Sequence, residues 1–168
     1  MKRVLFYNLV IIIIMSAVFG CSGEVKEIEE PEIVKIFKAL DAKDFDAQNI
    51  VSDKEESENL AREVYTESQL EKALKYLEEM RRNKVKLVHY NTEYKDIQII
   101  EEKDNEAKLM VHAISTGVYY TTDIPETKLG PLNHESQYKV ILKKVDNHWK
   151  ISEVSYLNEV NNAEDKTD

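Results

Sequence analysis

Cys21 is the only cysteine in the chain, and it directly follows Gly20 at the end of an apolar run. A lone thiol cannot close an intrachain disulfide, and its position leaves the rest of the chain without a thiol nucleophile or a cysteine metal ligand. The next side chains capable of chemistry are histidines. His89 and His112 fall on neighbouring stretches of alternating apolar residues, and if their registers agreed, two facing imidazoles would titrate near neutral pH. In a tyrosine-rich sheet the plainer expectation is a packed or surface histidine. His134 and His148 fall in a predicted loop and turn, where solvent is the default. Tyr90, Tyr94, Tyr119, Tyr120, Tyr138 and Tyr156 all lie in or beside predicted strands. Some must be core residues with the hydroxyl reaching an edge, and others would make an amphipathic binding surface. Strand alternation sends the rings of Tyr119 and Tyr120 to opposite faces. The candidate binding residues are therefore Tyr90, His112, Tyr119 and Tyr120. No His-x-x-x-His, Glu-x-x-His or paired-Asp spacing suggests a metal site. With four glycines in the chain, a phosphate-cradling loop is excluded, and no nucleophile motif or nucleotide fingerprint appears. Neither a catalytic residue nor a cofactor is expected.

The N-terminus reads Met1-Lys2-Arg3, then an apolar stretch from Val4 through Val18 with four isoleucines at 11–14. A basic n-region before an apolar h-region is the pattern of a signal peptide, and the stretch is short for a permanent bilayer span. The segment Val18-Phe19-Gly20-Cys21 resembles the lipobox of bacterial lipoproteins. That resemblance implies cleavage after Gly20 and a diacylglycerol on the Cys21 thiol, whose two acyl chains supply the pair of hydrophobic signals that stable anchoring requires. The expected placement is the extracytoplasmic face of the cell membrane, or the outer membrane in a Gram-negative cell. Residues 21–30 then read as the lipidated cysteine and a flexible acidic stalk, 31–157 as the domain, and 158–168 as a frayed tail.

Within the domain, Pro31 suits the first turn of a helix, and Ile33, Ile36, Phe37 and Leu40 form an amphipathic stripe; Phe45 and Ile50 are expected to close the following loop onto the core. Ser52-Asp53-Lys54-Glu55 and Ser68-Gln69-Leu70-Glu71 both have capping-box spacing. They predict a short helix to about Val64 and a longer one through Arg82 that carries Leu70, Leu74, Leu77 and Met80. From Val85 the apolar period changes from about 3.6 to 2. Strands are predicted from Val85 to Ile100, from Ala107 to Ile114 and on to Tyr120, then from Gln137 to Val145 and from His148 to Tyr156. The last two join at Asp146-Asn147, a turn that tolerates positive φ, and a bulge is needed between Ile151 and Val154. Pro125, Gly130 and Pro131 argue for a long loop over 121–136. The fold class is α+β: N-terminal helices packed on a curved antiparallel sheet of about four strands, behind a cleaved signal peptide.

The order of helices then long strands, ending in Tyr138-Lys139-Val140-Ile141-Leu142-Lys143-Lys144-Val145-Asp146-Asn147-His148-Trp149-Lys150-Ile151, resembles the NTF2-like (SnoaL-like, cystatin-like) fold. The resemblance implies a conical half-barrel with a pocket between sheet and helices. It implies no particular reaction, because that fold carries enzymes and inert modules alike. Of the 168 residues, 32 are acidic and 23 basic; removing residues 1–20 takes away two basic residues and leaves a net charge of −11. Such a surface repels phosphate backbones, so no nucleic-acid partner is expected. The expected function is a membrane-anchored, non-catalytic binding module for a cell-envelope protein or a small ligand, not an enzyme. The alternatives are a small enzyme with its site inside the cone, or a cell-surface inhibitor or immunity protein.

Overall fold

The computed structural model describes residues 29–161, with side chains described as far as Leu157. Cys21, the leader and most of the stalk lie outside the described residues. A compact unit begins at Pro31. Three helices come first: α1 (Glu32–Asn49), α2 (Lys54–Val64) and α3 (Glu67–Arg82). Four strands follow, β1 (Val85–Glu102), β2 (Glu106–Thr121), β3 (Lys128–Val145) and β4 (His148–Asn161), and they form one antiparallel sheet in the order β1-β2-β3-β4.

Helix α1 starts behind Pro31, whose φ of −55° presets the first turn. It does not end near Leu40 but runs to Asn49, so Phe45 is helical instead of looped. The reason is local: residues 41–49 contain neither glycine nor proline to stop the helix. Ile33, Val34, Phe37, Leu40, Ala47 and Gln48 form its buried face. Helix α2 takes Asp53 as its N-cap in place of Ser52, and the Asp53 carboxylate accepts the Glu56 N–H at 3.0 Å. Asp53 and Glu56 share the spacing of Ser52 and Glu55, and a carboxylate also gains from the helix dipole. The predicted box at Ser68 does not form. The Thr66 N–H donates to the Ile151 carbonyl at 3.0 Å and Tyr65 bridges to Ile151, which pins the α2–α3 link to β4. Helix α3 therefore begins at Glu67, with Ser68 already inside its first turn.

In β2, Ala107, Leu109, Val111 and Ala113 are buried against the helices, while Lys108, Met110, His112 and Ile114 turn to the opposite face. Together with Phe37, Ile33, Val140, Leu142 and Ile151 they form one core cluster. A second cluster joins Ala47, Val51, Ala61, Leu77, Met80 and Leu87, and Tyr65 packs against both. Three register shifts in β1 add bulges to the edge strand, and bulges bend and twist a strand. The Asp146-Asn147 turn has φ of 49° and 66°, as a two-residue hairpin of type I′ demands. The register of β4 slips between Ile141 and Leu142, leaving Ser152 as the extra residue; its hydroxyl donates to the Ile141 carbonyl at 3.1 Å.

Two expectations fail in the sheet. The stretch 121–136 is not a long loop, because β3 starts at Lys128 and Pro131 pairs with Val118. Among the described residues the pairing of β4 stops at His134, which leaves this part of β3 an edge there, where a strand tolerates proline. The remaining link is short and tied down: Thr121 N–H donates to the Thr127 carbonyl at 2.9 Å, and Lys84 and Lys86 pair with Asp123 and Glu126. At the other end, β4 reaches Asn161, four residues into the segment read as tail.

Candidate functional site

The inner stripe of α1 continues past Leu40 at helical spacing through Asp41, Asp44, Phe45 and Gln48. All four face a cavity of about 550 Å³ between the helices and the sheet. Opposite them, the cavity wall includes Tyr90 from β1, Tyr119 and Ser115 from β2, His134 and Tyr138 from β3, and Tyr156 from β4. Tyr65, Gln69, Lys72 and Tyr76 close the side formed by α3 and the link before it. Small-molecule sites commonly fall in the range of about 300–1,000 Å³, apolar in the main with a few convergent polar groups.

The polar groups are organised around the two carboxylates. Tyr94 donates its hydroxyl to Asp41 Oδ2 at 2.6 Å, and Thr92 donates to the same oxygen at 3.2 Å. Tyr90 extends this chain by hydrogen bonds to Thr92 and to Ser115, the latter at 3.0 Å. The Phe45 ring stacks on Tyr90, and Phe37 meets Tyr94 edge-on at 5.9 Å. Asp44 accepts from Gln48 Nε2 at 2.7 Å and from the Tyr65 hydroxyl.

Burial pushes the Asp44 carboxyl up to about 6, against the opposing pull of its hydrogen bonds to Tyr65 and Gln48; the nearby charge of Asp41 adds to the rise. Asp41 is raised as well, again by burial, with Tyr94 and Thr92 working the other way. Tyr65 is pushed well above the usual phenol value by burial and then by the charge of Asp44. Burial likewise raises Tyr90, Tyr94 and Tyr138, with the Asp41 charge next in each case. The tyrosines thus remain hydroxyl donors at neutral pH, while Asp44 can take or release a proton there.

Of the candidate residues from the sequence, Tyr90 and Tyr119 line this cavity, and Tyr119 hydrogen-bonds Tyr76. Tyr120 is not among the lining residues. His112 faces away from the helices, with Nε2 2.7 Å from Glu135 Oε1. It pairs in register with Asp96, whereas His89 is exposed with a φ of 53° inside the bulge between Val88 and Asn91, so the two imidazoles do not meet. His134 is not in a loop; it stands on β3 in the cavity wall, 6.5 Å from the Tyr156 ring. Asp41, Asp44 and Tyr65 are the residues that sequence reasoning missed. The available signal was the unbroken helix over 41–49, which places both aspartates on the face of Phe37.

No protein-family model matches the chain, and no curated protein matches it. Among solved structures, the intermembrane space region of chloroplast protein ARC6 aligns with a TM-score of 0.49 and 12% identity, over 77% of this chain and 98% of that one. A protein assigned as a scytalone dehydratase from Novosphingobium aromaticivorans DSM 12444 aligns with a TM-score of 0.49 and 14% identity, over 76% of this chain and 86% of that one. These likenesses concern chain outline and carry nothing about substrate. The expectation that the domain is not an enzyme is nonetheless overturned. This cone holds two hydrogen-bonded carboxylates, Asp41 and Asp44, in the wall of a ligand-sized cavity, and neither was named from the sequence. What stands is the α+β fold class: three helices on an open four-stranded antiparallel sheet.

Proposed function

We propose that this protein is a small acid–base enzyme that holds an organic molecule inside the cone and exchanges a proton with it through Asp44. The observation that carries this reading is a carboxyl group that faces a ligand-sized cavity, is hydrogen-bonded by Tyr65 and Gln48, and is pushed up to about 6 by its burial. A group with a pKa close to the working pH is both present in the proton-accepting form and able to return the proton. Tyr65, hydrogen-bonded to Asp44, orients the carboxylate, and the other cavity hydroxyls are donors for charge that develops on the ligand. The test is a small-compound screen by NMR with the purified protein at pH 7, followed by turnover assays of the compounds that bind. The expected result is binders that shift Tyr90 and Tyr119 resonances, and a turned-over compound whose rate falls about 10²–10⁴-fold in Asp44→Asn. Binders that perturb only surfaces outside the cone would contradict the reading.

The same proposal includes the tether. Val18-Phe19-Gly20-Cys21 supports an acylated cysteine as mature N-terminus, with the bilayer as its partner and the extracytoplasmic face as its place. Intact mass of membrane-extracted protein is expected to show loss of residues 1–20 and gain of diacylglycerol, both abolished in Cys21→Ala. An unprocessed mass would make the leader a plain membrane anchor.

A further inference from the structure

Apart from Lys72 and His134, the titratable groups that line the cone are carboxylates and phenols. Asp41 and Asp44 both face the cavity, and their hydrogen-bond donors are the neutral groups of Tyr94, Thr92, Tyr65 and Gln48. Among the described residues neither carboxylate enters an ion pair, although ten pairs between lysine or arginine and glutamate or aspartate are formed elsewhere. Lys72 also lines the cavity, but it is an exposed residue of α3, whose apolar stem can cover the wall while its ammonium stays in water. A second observation is independent of the carboxylates: the Gln69 side-chain oxygen, in the same wall, is buried and has no hydrogen-bond partner among the described residues. Buried acceptors without donors are rare in folded proteins and call for an explanation. A third is the aromatic lining, in which six tyrosines contribute to the cavity wall.

Uncompensated carboxylates, an unpaired acceptor and many π-faces together select one sign of charge. An anionic ligand would add repulsion to the two aspartates. A neutral ligand would leave their burial uncompensated. An ammonium group supplies the missing counter-charge, its N–H groups where present are the donors Gln69 lacks, and its methyl or methylene shell is attracted to the tyrosine faces by their quadrupoles. From these features we infer that the ligand of the cone is a small organic cation, an amine or a quaternary ammonium, with its charge held by Asp41 and Asp44 and its hydrocarbon part by the tyrosine rings. The inference rests on the reading of the cone as a small-molecule site and adds the class of molecule. The chain's net charge of −9 favours approach of a cation over that of an anion.

The test uses choline and benzyltrimethylammonium beside dimethylbutanol, an uncharged isostere of choline in which carbon replaces the nitrogen. Each is titrated into the purified full-length protein in detergent and followed through the tyrosine resonances of the cone. The expected result is that at least one cation shifts Tyr90 and Tyr119 and that choline binds at least about tenfold more tightly than the isostere. That advantage should disappear in Asp44→Asn and persist in Glu101→Gln, a surface control. Equal binding of choline and its isostere, or no response of the cone to either cation, overturns the cation class. The reading of a small-molecule site is judged separately by the wider compound screen, so a cone that takes only neutral compounds removes this inference and leaves that reading in place.

Discussion

Asp44→Asn is expected to make the protein more stable at pH 7.5, by about 3 kcal/mol at most, and to leave stability at pH 4 nearly unchanged. The sign follows from which state binds the proton. Asp44 has a folded-state value of about 6 against an ordinary 3.8. Between these values the folded protein holds a proton that the unfolded chain has released, so stability falls as pH rises through that window and levels off above it. Asparagine cannot ionise and escapes the loss. Its gain at neutral pH is therefore the wild type's cost of keeping a charged carboxylate in the cone, about two pKa intervals at roughly 1.4 kcal/mol each. Urea unfolding of both proteins from pH 4 to pH 8 measures the difference directly. A gap that opens with rising pH is the expected outcome, and a variant less stable than wild type across the whole range would mean that Asp44 is a structural carboxylate paired in the usual way. A residue that lowers stability at working pH is what a functional site tolerates and a structural one does not.

Phe37→Ala is expected to cost about 3–5 kcal/mol, a large part of the roughly 5–15 kcal/mol that holds a domain of this size together. Phe37 is 1% exposed, the largest fully buried side chain in the core. It packs in the cluster formed by α1 with β2, β3 and β4, and its ring supports Tyr94, the donor to Asp41. Because Phe37 also lines the cavity, truncation enlarges an existing space that does not collapse, which places the cost at the upper end of the range. The check is the urea midpoint at pH 7. A loss below about 1 kcal/mol would show that the helix does not depend on this contact for docking to the sheet.

The sheet was the more legible half of the fold. Alternation at Ala107, Leu109, Val111 and Ala113 and the Asp146-Asn147 turn are local signals that tertiary contacts do not override, and the slip before Val154 revealed its bulge because a period of 2 permits only one phase. Boundaries set by long-range contacts were not legible in this way. Thr66 and Tyr65 are held by Ile151, far along the chain, and this moves the start of α3. Pro131 is accommodated where, among the described residues, β3 pairs with β2 alone, a fact of sheet geometry and not of the residues near the proline. The candidate site was obscured by a sound rule applied to the wrong span. Charged residues ordinarily mark the solvated face of a helix, so an apolar stripe that stops at Leu40 gives no sign of Asp41 and Asp44, which continue its inner face and meet Tyr65, Tyr90 and Tyr94 across the cone. Tyr90 and Tyr119 could be singled out from sequence because paired tyrosines beside a strand end stand out, but alternation alone could not tell which member of Tyr119-Tyr120 points inward.

The carboxyl group of Asp44 is central to the proposed chemistry, and following its carbon resonance by NMR from pH 3 to pH 8, assigned by comparison with Asp44→Asn, tests that role most directly. A midpoint near 6, with tyrosine resonances of the cone moving in step, is the predicted result. A midpoint at or below the ordinary 3.8 would contradict it, because Asp44 would then be a well-compensated anion at every physiological pH and the cone would have no group poised to exchange a proton.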